Sequence, residues 1–408
     1  MNFRNLCLLL FMRGTKSFLF PSSRIQSNNF YKNILKLFDF SFLGNDLPLT
    51  TINIPIYSPV NSTENPDPDL NWYVIGETAS FSTNKLKKIT VWNKDYLVWK
   101  DKITKEVYVM DDDCSHKGAA LSGGHIHHSL EHGSCAVCPY HGYEFAGNGS
   151  LVTVPGLSFE SSPCKNQRTY PVMERNGWIY LNTVTKSEYI RTKKPEAILF
   201  EEPEAKNPDF SPIFLNVIFK AYSRIVSENS LDVMHIGFVH TFGNREFPSP
   251  LKEVPPQAVS SQYHYRTEYD YLSGSKSFAK KLFGFNQLKI QNEFALPHTT
   301  VARILFGPFI STVITFATPI NITHSQLFVK TYRNFWRAPV HSPNPLDKAH
   351  QAIGDYFTKK MMWDTVLQDK AIVEGIRLEN ADGKFNMKYD KLSNTYRTFY
   401  KKWIHKVE

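Results

Sequence analysis

The chain has 408 residues, 42% of them hydrophobic, 14% aromatic and 21% charged, with a formal net charge of +9. That length admits two domains, and the composition is that of a globular chain able to bury a sizeable core, which excludes a low-complexity protein. The basic residues are scattered instead of gathered into a stripe, which argues against a nucleic-acid surface, and no run reaches the roughly 18 apolar residues that a membrane-spanning helix needs. The surplus of positive charge suits an acidic redox partner or a plain solvated surface. Five cysteines are an odd number and too few for a disulfide framework. Cys114, Cys135 and Cys138 cluster among histidines, which points to metal in a reducing compartment. Cys7 and Cys164 stand apart and read as plain thiols.

In chain order, the first 38 residues contain no Asp or Glu but include Arg4, Arg13, Lys16, Arg24, Lys32 and Lys36. With the apolar run Leu6–Met12 this is the pattern of a leader or transit segment, and a lysine-rich extension fits it equally well. The location is cytoplasmic or, if residues 1–45 direct it there, organellar. Residues 46–69, rich in Pro, Asn, Ser and Thr, read as a linker, so that 1–69 form an extension. From residue 70, "NWYVIGE", "KKITVWNKDYLVWKD" and "KEVYVMDDD" are short β-branched and aromatic runs divided by polar turns, and "RNGWIYLN" is a hairpin leading into a closing strand. Residues 70–185 are therefore expected to be a small all-β domain.

Residues 186–408 are mixed. A helical pattern spans about 222–240. Strand-like runs recur from about 260 to 335, and helices are expected at roughly 346–380 and 388–404. In the last of these, Leu392, Tyr396, Tyr400 and Trp403 share a face. The fold class is α+β, a mostly antiparallel sheet with helices packed on it. "ISTVITFATPI" is either a pocket wall or a core strand.

Two places carry chemistry. In the first, Cys114-Ser-His116 and Cys138-Pro-Tyr-His141 pair thiolates with imidazoles. Two such pairs suit a [2Fe–2S] cluster, whose neutral imidazoles raise its potential relative to four thiolates. Gly118, Gly123, Gly124 and Gly142 supply the loop freedom. His125, His127, His128 and His132 read as a solvated hairpin. A zinc site of Cys114, His116, Cys135 and Cys138 is the alternative.

In the second, "SENSLDVMHIGFVHTFGN", Asp232 and His235 are three apart and expected on one helix face. His235 and His240 are about 140° apart on an ideal helix, so the helix must bend or end between them, with Gly237 placed to allow it. Two histidines need a carboxylate to form the facial triad of non-haem Fe(II). In "MMWDTVLQDKAIVEGIR", Asp369 falls on an apolar stripe with Met362, Val366, Val373 and Ile376, where a carboxylate is costly unless paired or metal-bound. A structural cap or ion pair is the competing role. Asp364 and Glu374 lie off the stripe and are weaker candidates.

"CSHKGAALSGG" and "CPYHGYEF" resemble the two loops of the Rieske iron–sulfur domain. With the second motif and Asp369, residues 70 to about 405 resemble the Rieske non-haem iron oxygenases, the ring-hydroxylating and related monooxygenase family. The resemblance implies a helix-grip-type antiparallel sheet with C-terminal helices after the Rieske domain. It implies Cys114 and Cys138 on one cluster iron and His116 and His141 on the other. It implies His235, His240 and Asp369 on a mononuclear Fe(II), with dioxygen as co-substrate. Asp232 would bridge a ligand histidine to a Rieske histidine, His141, of a neighbouring subunit in a homotrimer or other ring. Asn229 matches the family's asparagine near the iron. The implied partners are an external reductase or ferredoxin and a small organic substrate, which is hydroxylated, demethylated or desaturated. The two-residue gap between Asn229 and Asp232 leans toward the monooxygenases. The rivals are a Rieske electron-transfer protein without oxygenase activity and a zinc-binding interaction module.

Overall fold

A computed structural model describes residues 72–156, 165–191, 199–261, 263–338, 344–383 and 385–404. The basic N-terminal segment, the linker at 46–69, Cys7 and Cys164 lie outside them.

The first part of the chain builds three small antiparallel sheets. One is β1 (Trp72–Glu77), β10 (Trp178–Asn182) and β9 (Val172–Arg175), side by side in that order. The second is β2 (Lys87–Val91), β3 (Lys94–Lys100) and β4 (Val107–Asp111). The third runs β5 (His125–Ser129), β6 (Gly133–Val137), β7 (Glu144–Phe145), β8 (Leu151–Thr153). The run "KKITVWNKDYLVWKD" makes two strands because Trp92 and Asn93 both take positive φ, 50° and 61°, in the tight turn between them. Two positive-φ residues give the twist that a two-residue hairpin needs. The histidine-rich stretch is the β5–β6 hairpin, as expected of a solvated excursion.

After α1 (Lys186–Arg191), a seven-stranded antiparallel sheet follows. Its order is β11 (Ser211–Phe219), β17 (Ser325–Arg333), β16 (Phe309–Pro319), β15 (Thr299–Phe306), β14 (Gln287–Ala295), β13 (His264–Leu272), β12 (Lys252–Ser261). β11 shows why such runs become strands: Ile213, Leu215, Val217 and Phe219 face the core, while Pro212, Asn216 and Ile218 face out. β12, "KEVPPQAVSS", carries no strand signal, since Pro255 and Pro256 cannot donate to a ladder. It survives because it is an edge strand whose register breaks between Val254 and Gln257.

Helices α2 (Ser223–Leu231), α5 (Pro345–Val373) and α6 (Lys391–Ile404) pack on this sheet, with the short α3 (Ile236–Val239) and α4 (Phe278–Phe283) in the connections. Asn344 caps α5, its side chain accepting from the Leu346 N–H at 3.0 Å, and Pro345 opens the first turn. α2 and α5 share one apolar core with β11, β16 and β17, through Ile225, Val226, Met362 and Val366. "ISTVITFATPI" is β16, buried along most of its length as a core strand.

Leu392, Tyr396, Tyr400 and Trp403 do share a buried face of α6, and they join the core of Tyr73, Tyr96 and Tyr170 in the first part of the chain. Further ties cross between the two parts. The backbone N–H groups of Trp92 and Asn93 donate to the Pro319 and Ile320 carbonyls at 3.0 and 2.8 Å. The Val74 N–H donates to His298 Nε2 at 3.3 Å. Lys330, fully buried beside Glu202, donates from Nζ to the Asn176 carbonyl of the first part.

Candidate metal centres

The first centre stands at the tip of the small sheets. Cys114 precedes and Cys138 follows the β5–β6 hairpin, and both are buried at 4% and 3% exposure. Their loops use one device twice. The Gly118 N–H donates to the Cys114 carbonyl at 2.8 Å, and the Gly142 N–H donates to the Cys138 carbonyl at 3.0 Å. Both glycines have φ near +70°, a conformation that any side chain would strain. Gly124 has another reason to be glycine: a Cβ there would sit 1.9 Å from the Val137 carbonyl oxygen. The rings of His116 and His141 face each other at 4.6 Å between centroids, and His116 stacks on Tyr143 at 4.7 Å. His141 is exposed, while the thiols are not. The buried His116 Nδ1 has no hydrogen-bond partner. Two buried thiols, a buried and unpartnered His116 Nδ1 and an exposed His141 ring fit a [2Fe–2S] cluster that is closed on its sulfur side and open at His141.

Cys135 does not join this group in the way a zinc site would need. It lies on β6, with its thiol against the His132 and Gly133 carbonyls at 4.0 and 3.8 Å. Burial pushes that thiol up to about 11, so it stays protonated at neutral pH. Of the neighbouring histidines, His127 pairs with Glu144 at 2.8 Å and His128 meets Ser134 Oγ at 3.0 Å.

The second centre lies where α2, α3 and α5 meet. Asp232 and His235 were expected on one helix, and they are not. α2 stops at Leu231, and Asp232 is extended, at φ −78° and ψ 123°. Its Oδ1 accepts from the Met234 N–H at 2.7 Å. That local bond competes with the helix and turns the chain. His235 then starts the single turn of α3, and His240 ends it in an extended conformation, at φ −91° and ψ 137°. The bend is therefore at His240, and Gly237 sits inside the helical turn. Its lack of a side chain serves packing instead: a Cβ would meet the Asn244 carbonyl oxygen at 2.9 Å and Pro248 at 2.8 Å.

From α5, Asp369 reaches this turn. His235 Nε2 and His240 Nε2 are 3.1 Å apart, and each is 3.4 Å from Asp369 Oδ1. Among the described residues, these three form the one group of His, Cys, Asp and Glu side chains close enough to share an ion. Met362, Val366 and Val373 are buried along the same helix, as the stripe requires, but Ile376 lies beyond its end and is 40% exposed. The other acids are accounted for elsewhere. Asp364 pairs with Lys360 at 3.0 Å, and Glu374 accepts from the Lys220 N–H at 2.7 Å.

Sequence reasoning missed Gln368. Its Oε1 accepts from His240 Nδ1 at 3.1 Å. Its place beside Asp369 was the one clue, and adjacency alone names no partner. The Gln368 bond puts the proton of neutral His240 on Nδ1 and leaves a bare lone pair on Nε2. Asp232 Oδ2 stands 3.7 Å from His235 Nδ1 and favours the same tautomer there. When both rings are neutral, two bare nitrogens and a carboxylate oxygen converge within 3.4 Å, an arrangement that repels itself unless a metal ion or a proton lies between them. Burial opposes charging His235, but Asp232 and Asp369 outweigh it and push its pKa up to about 9. Burial holds His240 below its ordinary value. The donor set of two imidazoles and one carboxylate fits a divalent iron with positions left open.

Asn229 is half-buried in the last turn of α2, where its carbonyl accepts from the Asp232 N–H at 3.2 Å. α2 is fixed from behind by ion pairs: Glu228 takes Arg224 and Arg397, each at 2.6 Å. Beside His240 opens a cavity of about 490 Å³, lined in part by Val239, Asn244, Phe247, Leu272 and Ser273.

Residues 71–171 match the Rieske [2Fe-2S] domain model. The chain is 29% identical over 188 residues to the protochlorophyllide-dependent translocon component 52, chloroplastic, of Arabidopsis thaliana, covering 44% of this chain and 32% of that one. The matched stretch thus spans about a third of that relative. A longer match, 24% identical, joins 83% of this chain to 92% of aminopyrrolnitrin oxygenase PrnD of Pseudomonas fluorescens. Among solved structures, dicamba monooxygenase bound to dicamba superposes with a TM-score of 0.65 at 18% identity, over 83% of this chain and 98% of that one.

Proposed function

We propose that this chain, which carries a Rieske [2Fe–2S] domain on the fold of the Rieske non-haem iron oxygenases, is a monooxygenase-type oxygenase component. The observation that carries the reading is the convergence of His235, His240 and Asp369 on one point in a chain that also has the Rieske loops. An electron-transfer protein needs no such triad, and a zinc module needs neither.

In this reading the domains divide near residue 185. Cys114 and Cys138 hold one cluster iron, and His116 and His141 hold the other. His235, His240 and Asp369 hold a mononuclear Fe(II). When bound, the cluster supplies single electrons and the mononuclear iron activates dioxygen beside the substrate. The chain's own residues prepare that chemistry. Gln368 and Asp232 fix the imidazole tautomers, Asp369 supplies the one negative charge among the three ligands, and the cavity beside His240 admits a small organic molecule. Asn229 stands near the site in the turn that Asp232 closes. Hydroxylation, demethylation and desaturation all remain within reach of this geometry.

The exposed His141 and the 38% exposed carboxylate of Asp232 also support electron transfer between subunits. Asp232 would meet His141 of a neighbouring copy in a homotrimer or similar ring, and an external reductase or ferredoxin would charge the cluster. Apolar side chains exposed near the second centre, Phe238 at 57%, Trp363 at 42% and Leu367 at 39%, fit burial by such a neighbour. Among the described residues, no helix is long and apolar enough to cross a membrane.

The test supplies a surrogate reductase and isotopically labelled dioxygen to the protein with a mixture of candidate substrates. Incorporation of label, or substrate-dependent oxygen consumption, is expected for the wild type and not for His235→Ala. Equal product from both proteins would remove the triad from the chemistry.

A further inference from the structure

α5 holds the His240 ring at both of its nitrogens with two consecutive residues. Asp369 Oδ1 is 3.4 Å from Nε2, and Gln368 Oε1 is 3.1 Å from Nδ1. Phe242 stacks on the same ring at 4.9 Å between centroids, with the planes 14° apart. The ring is 6% exposed. A half-turn about its Cβ–Cγ bond would place a carbon against the Gln368 oxygen and lose that bond. The alternative tautomer would point an N–H at the ion position, and Gln368 could meet its bare Nδ1 only by turning the amide over from the orientation it has here.

We infer that Gln368 is a positioning residue that locks His240 in the one orientation and tautomer able to bind a metal. The inference rests on the proposed mononuclear centre and adds the device that builds it. The two histidines are then supported unequally. His235 has an anionic neighbour in Asp232, at 3.7 Å, and His240 has a neutral one in Gln368. Polarising an imidazole with an amide donates less charge to the metal than doing so with a carboxylate. The centre as a whole therefore keeps less negative charge than two acidic partners would give it. Because Gln368 and Asp369 are neighbours on one rigid helix, any slide or turn of α5 changes the carboxylate and the tautomer lock together.

The test uses full-length protein with its cluster assembled and oxidised. The mononuclear site is stripped with a ferrous chelator, then titrated with Mn(II), whose free ion is counted by its paramagnetic resonance signal. Gln368→Leu keeps the side-chain bulk but cannot accept, and it is expected to weaken Mn(II) binding about 10–100-fold, the usual effect of losing such a partner. Gln368→Glu keeps the acceptor and is expected to bind at least as tightly as wild type. The cluster absorption should be the same in all three proteins. Binding by Gln368→Leu within about twofold of wild type would overturn the inference, as would a Gln368→Glu protein as weak as Gln368→Leu, which would make the residue a matter of packing. His240→Ala separates the two readings. If it binds Mn(II) as tightly as wild type, the centre itself is misassigned. If it fails while Gln368→Leu binds normally, only the role of Gln368 is wrong.

Discussion

At the scale of single residues, Asp232 and Gln368 set the charge and the orientation of the two imidazoles that face Asp369. Cys114, His116, Cys138 and His141 announce themselves by short spacing, since a loop that must aim two donors inward has few ways to do so. Asp369 could be found because an acid stands out among buried Met362, Val366 and Val373. Gln368 is an ordinary polar residue on a long helix, and only the folded contact gives it a role. Asp232 shows the opposite case. Its role was expected from the resemblance, but its expected place on a helix face shared with His235 was wrong. Its carboxylate closes a turn onto the Met234 N–H and reaches His235 across it. Asp232→Asn keeps the turn's acceptor and removes the charge. We expect it to retain both kinds of iron by metal analysis and to lose substrate oxidation by about tenfold or more. Full activity in that variant would remove Asp232 from the electron route.

At the scale of elements, strands with clean alternation or dense β-branched content were readable, as in β13 and β16. The elements that sequence could not give were those set by neighbours. β12 is a strand only because the sheet has an edge that tolerates Pro255 and Pro256. The helical pattern over 222–240 breaks into α2 and α3 because Asp232 turns the chain where hydrophobic periodicity continues. The glycines of the cluster loops divide in the same way. Gly118 and Gly142 need their positive φ, whereas Gly124 needs the space occupied by the Val137 carbonyl. Gly124→Ala is therefore expected to open the contact between the cluster loop and β6 and to yield protein with little cluster, read from its visible absorption. Cluster content equal to wild type would show that the loop can yield without cost.

At the scale of the whole molecule, the two parts of the described chain are joined through buried polar contacts as well as apolar packing. His298 is one such joint: it accepts from the Val74 N–H while its ring lies between Tyr73 and Phe316. Burial depresses its pKa to about 3. In the unfolded chain the same group titrates near 6.5, so the unfolded state binds the extra proton first as pH falls. The stability that neutral His298 contributes is whole above about pH 6.5 and is lost as pH falls toward 3, at up to about 1.4 kcal/mol per pH unit. His298→Gln should flatten that part of the profile of denaturation midpoint against pH. An unchanged slope would assign it to other groups.

The central claim, that one chain holds two unlike iron centres, is tested most directly by Mössbauer spectroscopy of protein reconstituted anaerobically with isotopically enriched iron. Cluster iron is expected together with a high-spin ferrous doublet carrying about a third of the total intensity, as two cluster irons and one mononuclear iron require. That doublet should vanish in Asp369→Ala while the cluster iron stays. A spectrum in which all the iron belongs to the cluster would contradict it.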